Sequence, residues 1–213
     1  MNQTQCDFLD KIKNKNIKIY CEKIINQITP AKTPKELSSY SILCEEDIDI
    51  RNFVISTIGF ALVDKKWASK LSNFIGDKKC LEIMCGSGFL SKALKENNID
   101  IIATDNFSWE GHWNDSENYY IDIENIDAIH AIEKYGKNID YIIMSWAYMD
   151  NTAYKCLLKM REINPSCKMI VIGENRGGCT CDDMFFDSIE KLNEFNIEIP
   201  SWYGIYDKIY MVK

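Results

Sequence analysis

The chain has 213 residues, 46% hydrophobic and 27% charged, with a formal net charge of −7. That length suits one well-buried α/β domain with an extension, and the acidity disfavours indiscriminate binding to phosphate backbones. Nine cysteines form no disulfide-like framework, the N-terminus MNQTQCDFLDKIKN lacks a signal-peptide core, and no apolar run reaches membrane-span length. The expected setting is therefore a reducing, cytoplasmic compartment with no membrane contact.

Residues 4–28 carry apolar side chains at helical spacing (Phe8, Leu9, Ile12, then Ile17, Tyr20, Ile24, Ile28) until Pro30 and Pro34 end the pattern. A further helix is predicted over Asp64–Ile75, with Trp67, Leu71, Phe74 and Ile75 on one face. Residues 1–76 thus read as a helical N-terminal cap and substrate lid, and residues 77–213 as the main domain. From there short apolar runs alternate with amphipathic stretches. Strands are expected at Cys80–Met84, Ile99–Thr104, Tyr119–Asp122, Asp140–Ser145 and Lys168–Gly173. Helices are expected at Phe89–Asn97, Asp127–Tyr135, Asn151–Arg161 and Asp182–Phe195, the last capped by Thr180 with Asp183 three residues on. This alternation implies a doubly wound, mostly parallel seven-stranded sheet with helices on both faces. The closing EIPSWYGIYDKIYMVK reads as an antiparallel hairpin at one edge.

Doubly wound sheets bind ligands at the carboxyl ends of their strands. Candidate ligand-binding residues gather there. Gly86 and Gly88 follow the first strand, where an absent Cβ admits a ligand to the backbone, and the helix beginning near Phe89 offers free N–H groups. Asp105 closes the second strand and can accept hydrogen bonds from a ribose diol. Asp122 ends the third predicted strand, beside a prospective adenine. A dinucleotide fingerprint is partly met by Gly86-Ser87-Gly88-Phe89-Leu90-Ser91. Against it stands Glu82, a carboxylate inside the first strand. It would repel a pyrophosphate and attract an ammonium, which favours S-adenosylmethionine.

Glu82-Ile83-Met84-Cys85-Gly86-Ser87-Gly88 resembles the first motif of class I S-adenosylmethionine-dependent methyltransferases, E/D-x-G-x-G-x-G. The resemblance covers roughly residues 60–213 and includes the reversed terminal strand. It implies that Glu82 serves the methionine amino group, that Gly86 and Gly88 are the second and third glycines, and that Asp105 binds ribose. It places Asp122 and Ile123 beside adenine, with Cys85, Asn106 and Ser145 completing the cofactor set. Met84 replaces the first glycine and is expected to keep an extended backbone, which any residue adopts. Ser145-Trp146-Ala147-Tyr148 is similar to the N/D/S-P-P-Y/F element of amine-modifying methyltransferases with both prolines missing, so only Ser145 and Tyr148 match it.

For catalysis, Tyr148 is a candidate for packing on substrate, and Glu174 or His112 for a general base. Their bland alternatives are gap filling by Tyr148, a solvated loop charge at Glu174, and packing of His112 between Trp109 and Trp113. Likewise Asp105 and Asp122 could merely cap turns, and His130 reads as a helix-surface residue. Cys179-x-Cys181 lacks the second ligand pair that structural zinc needs, so no metal is expected. The expectation is methyl transfer to a nitrogen or oxygen of a small molecule, with S-adenosylhomocysteine as product and nucleic acid a disfavoured partner. The alternatives are N-methylation of RNA or a protein side chain, non-catalytic cofactor binding, and an NAD-linked oxidoreductase, which Glu82 opposes.

Overall fold

A computed structural model of the chain describes residues 55, 59–63, 65–108, 119–195, 197, 199, 201 and 205–213. In chain order its elements are α1 (Lys65–Ile75), β1 (Cys80–Ile83), α2 (Phe89–Lys95), β2 (Ile101–Asp105), β3 (Glu124–Asn125), α3 (Ala128–Tyr135), β4 (Tyr141–Ser145), α4 (Thr152–Ile163), β5 (Lys168–Gly173), α5 (Asp183–Ser188), β6 (Lys191–Glu194) and β7 (Lys208–Val212). They build one seven-stranded sheet in the order β3-β2-β1-β4-β5-β7-β6. The pairings from β3 across to β5 are parallel, while β7 runs antiparallel to both β5 and β6. This is a Rossmann-like α/β fold.

Side-chain alternation divides the central strands between two cores. Cys80, Ile143, Ile170, Ile172 and Ile209 face α1 and α2, with Trp67, Leu71, Ala93 and Leu94. Leu81, Ile83, Ile142, Met144, Met169, Val171, Tyr210 and Val212 face the other way, toward α3, α4 and α5. With both faces covered, β1 is buried along its whole length. Such a strand is ordinarily apolar throughout, which makes Glu82 within it anomalous. The chain steps outward from β1 to β3 and then returns to β4 on the other flank of β1. The loops that leave the paired carboxyl ends of β1 and β4 therefore run in opposite directions and leave a crevice.

Most predicted strands and helices match within a residue or two, and the departures have tertiary causes. Tyr119–Asp122 is not a strand, and β3 is the two-residue Glu124–Asn125. The apolar residues of that segment are used on the glycine turn instead: Tyr120 N–H donates to Ser87 O at 3.0 Å, and the Tyr120 ring meets Phe89 edge-on at 4.8 Å. The helix expected over Asp182–Phe195 stops at Ser188, because residues 191–194 are recruited as β6 against β7. Its cap is Asp182, which accepts Phe185 N–H at 2.9 Å, whereas Thr180 donates to Glu174 O. The antiparallel edge is present, but its arms are β6 and β7, separated by residues 195–207 rather than by a tight turn. The helical pattern over residues 4–28 lies outside the described residues. Helix α1 belongs to the same core as β1 and α2. Among the described residues no helix is long and apolar enough to cross a membrane.

Candidate functional site

The turn after β1 has an alternating backbone. Met84, Gly86 and Gly88 have φ of 55°, 57° and 73°, all in the left-handed region that glycine tolerates best. Met84 is therefore not extended, as its place at the strand end suggested. It sits left-handed at a cost of roughly 1–2 kcal/mol, and its side chain packs against the core beneath α3 and α4. At Gly88 space is a second constraint, since a Cβ there would lie 2.6 Å from Ile121 Cγ2 and 3.1 Å from Ile123 Cδ1. The turn is fastened from β2: Gly86 N–H donates to Asp105 Oδ2 at 2.7 Å, and Cys85 N–H to Thr104 O at 3.1 Å.

Above this turn lies a cavity of about 620 Å³. Glu82, Met84, Cys85, Gly86, Asp105 and Asn106 form its floor and one side. Glu82 is only 1% exposed, and Ser91 Oγ donates a hydrogen bond to its Oε2. Burial pushes its carboxyl up to about 8, opposed by the Ser91 hydrogen bonds and reinforced by the charge of Asp105. Asp105, also buried, accepts Gly86 N–H on one oxygen and Phe107 N–H at 2.7 Å on the other. Burial raises its pKa too, and these backbone donors work against the rise.

The opposite wall comes from the loop after β4 and from Gly59, Phe60, Ala61 and Val63. Ser145, Trp146, Ala147, Tyr148, Met149 and Asp150 line it. Trp146 is left-handed at φ 54°, anchored by its N–H to Ile172 O at 2.8 Å, and its ring stacks on Phe60 with centroids 5.2 Å apart and planes at 13°. Behind it, burial raises the Asp207 carboxyl to about 7, eased by the nearby Trp146 indole and reinforced by Glu174. The geometry between them falls short of a hydrogen bond: among the described residues Trp146 Nε1 and Asp207 Oδ1 are buried without a partner.

Other candidates occupy different places. Asp122 is exposed and does not line the cavity, while Ile123 packs on Gly88 below it. Where those two were expected, the cavity meets Asp127, Ala128 and Ile129 at the start of α3. Asp127 caps that helix by accepting Ile129 N–H and His130 N–H, and it also meets the exposed His130 ring. Glu174 lies outside the cavity lining, with Oε2 accepting Cys179 N–H at 2.8 Å and Oε1 accepting Tyr206 N–H at 3.1 Å. It staples the loop after β5 to the segment entering β7. Tyr148 stands at the cavity rim, 59% exposed. His112 lies outside the described residues. Cys179 is exposed and lines the cavity, and Cys181 is buried.

No family model and no curated protein matches this chain. Solved structures do resemble it. TehB from Haemophilus influenzae aligns at TM-score 0.47 and 13% identity over 76% of this chain and 66% of that one. PH0226 protein from Pyrococcus horikoshii aligns at 0.48 and 12% over 80% and 92%. The B. subtilis tRNA methyltransferase TrmK aligns at 0.45 and 10% over 70% and 65%. These are likenesses of backbone arrangement, so a functional reading has to rest on the cavity.

Two parts of that cavity escaped sequence reasoning. Asp127 was legible as the acid before an amphipathic helix, an N-cap signal that set the helix start but carried no hint of a ligand. Phe60 and Trp146 meet only through the fold, and no spacing rule links positions so far apart.

Proposed function

We propose that this chain binds S-adenosylmethionine at the carboxyl edge of its sheet and transfers the methyl group to a small-molecule nucleophile. Glu82 carries the reading. It is a buried carboxylate lining the cavity, and among the described residues no Lys, Arg or His neutralises it. Burial favours its protonated form, and an arriving ligand ammonium stabilises the ionised one, whereas a pyrophosphate would be repelled. When bound, S-adenosylmethionine supplies a sulfonium-activated methyl group that an acceptor lone pair takes as the sulfur–carbon pair returns to sulfur, leaving S-adenosylhomocysteine.

The chain's own residues hold and orient. Glu82 holds the amino group, Asp105 accepts from the ribose while keeping the glycine turn closed, and the Asp127–Ile129 turn borders the adenine end. Trp146 and Tyr148 orient the acceptor from the facing wall. Alignment of this kind contributes ~7–11 kcal/mol at best. With Glu174 bonded to two backbone N–H groups, proton removal falls to water, to Asp150 at the rim or to His112. Calorimetric titration should show micromolar-range binding of S-adenosylmethionine and S-adenosylhomocysteine and none of NAD. Binding of NAD without S-adenosylhomocysteine would overturn the reading.

A further inference from the structure

Resting on the methyl-transfer reading, we infer that the acceptor is a small arylalkylamine, held between the Phe60–Trp146 stack, Tyr148 and Asp150. The charged side chains among the described residues that line the cavity are Glu82, Asp105, Asp127 and Asp150, all acids. Asp127 already has His130 as a partner, and Glu82 and Asp105 lie on the β1 and β2 side with the cofactor functions assigned above. Asp150 is left on the acceptor side, adjoining Tyr148 and Met149, with its Oδ1 accepting Thr152 N–H at 2.8 Å. An acceptor bearing a carboxylate or phosphate would meet this acid with no basic group among the described lining residues to offset it.

The aromatic residues point the same way. Trp146 and Phe60 both line the cavity, and Tyr148 and Met149 are each more than half exposed at its rim, so the wall is largely aromatic. Such a wall suits a planar ring, and the electron-rich face of tryptophan or tyrosine attracts a cation. An arriving arylalkylammonium satisfies both. Its nitrogen releases one proton to water, forms the new bond to the methyl carbon, and leaves as a methylated ammonium beside neutral S-adenosylhomocysteine. Atoms and charge then balance with the cofactor as the single co-reactant.

The test uses a matched set of probes on the full chain saturated with S-adenosylhomocysteine: phenethylamine, its near-isostere 3-phenylpropionate, and hexylamine. Binding is read by tryptophan fluorescence and calorimetry. Phenethylamine should bind about tenfold or more tighter than either of the others, the ring and the charge each contributing. Asp150→Asn, at an exposed position, should narrow the preference for amine over acid, and Tyr148→Leu the preference for aromatic over aliphatic. Equal or tighter binding of the acid, no detectable binding of the amine, or an amine preference untouched by both variants would overturn the inference. Failure of S-adenosylhomocysteine to bind would sink the cofactor reading instead. The same three probes titrated into the ligand-free protein would still decide the character of the acceptor wall.

Discussion

Glu82→Gln separates the burden of the buried carboxyl from its use. In the folded protein this group titrates at about 8 against an ordinary 4.5, so the folded state holds the proton more tightly than the unfolded chain. Its stabilising contribution is therefore complete below the unfolded value and is lost as pH rises through the folded one. At about 1.36 kcal/mol per unit, the interval corresponds to a ceiling of about 5 kcal/mol, which water entering the cavity reduces. Glutamine keeps the shape and can still accept from Ser91, but it carries no charge to desolvate. The ligand-free variant should match the wild type in acid and exceed it increasingly from about pH 5 to about pH 9. At roughly 2–4 °C per kcal/mol for a chain of this size, the gap in Tm should open with pH to a few degrees at least and roughly 10–20 °C at most. Thermal scans of both proteins across that range measure it, and comparing the two proteins cancels the titration of Asp207. In return, the variant should lose about 2–5 kcal/mol of S-adenosylhomocysteine affinity, because the ligand's ammonium loses its counter-charge. A stability gap that does not change with pH would refute the argument, whatever happened to binding.

Wild-type affinity for S-adenosylhomocysteine should rise as pH approaches about 8, since the ammonium favours ionised Glu82; calorimetry in two buffers of unlike ionisation heat should detect proton release, absent in Glu82→Gln. Met84→Gly should fall within about 1 kcal/mol of wild type in urea unfolding, because relief of left-handed strain offsets lost packing and a freer unfolded chain. Met84→Val should be less stable than wild type by about 1 kcal/mol or more, since a β-branched residue fits that backbone worst; equal stability would contradict the observed φ. Gly88→Ala should destabilise by about 1–3 kcal/mol, because its Cβ meets Ile121 at 2.6 Å. Asp105→Ala should weaken S-adenosylhomocysteine binding and also cost about 1–3 kcal/mol of stability by orphaning Gly86 and Phe107 N–H, whereas Asp105→Asn should recover part of the stability. Unchanged binding in both variants would remove Asp105 from the ligand site.

The alternation of apolar runs with amphipathic stretches determined the central strands, the helices that follow them and the crevice at their carboxyl ends. Those elements are buried on both faces or along one stripe, so burial and periodicity agree locally. Glu82 was legible for a related reason, because a carboxylate in a wholly apolar strand has no local explanation and calls for a ligand. Edge elements depended on the sheet. Residues 191–194 read as helix alone and became β6 because β7 offered an unpaired backbone, and Tyr119–Asp122 had strand-like content but packs over Gly88. The backbone of Met84 was likewise decided by the turn, which needs a left-handed residue at that step whatever side chain it carries. The sequence alone determined the fold class and the acid that marks the cavity. Only the tertiary structure decided which groups meet there, bringing Asp127 and Phe60 to the cavity while leaving Asp122 outside and binding Glu174 to a loop. Strand ends are set by local burial, whereas a cavity wall is assembled from segments far apart in the chain whose registers only the packed sheet fixes.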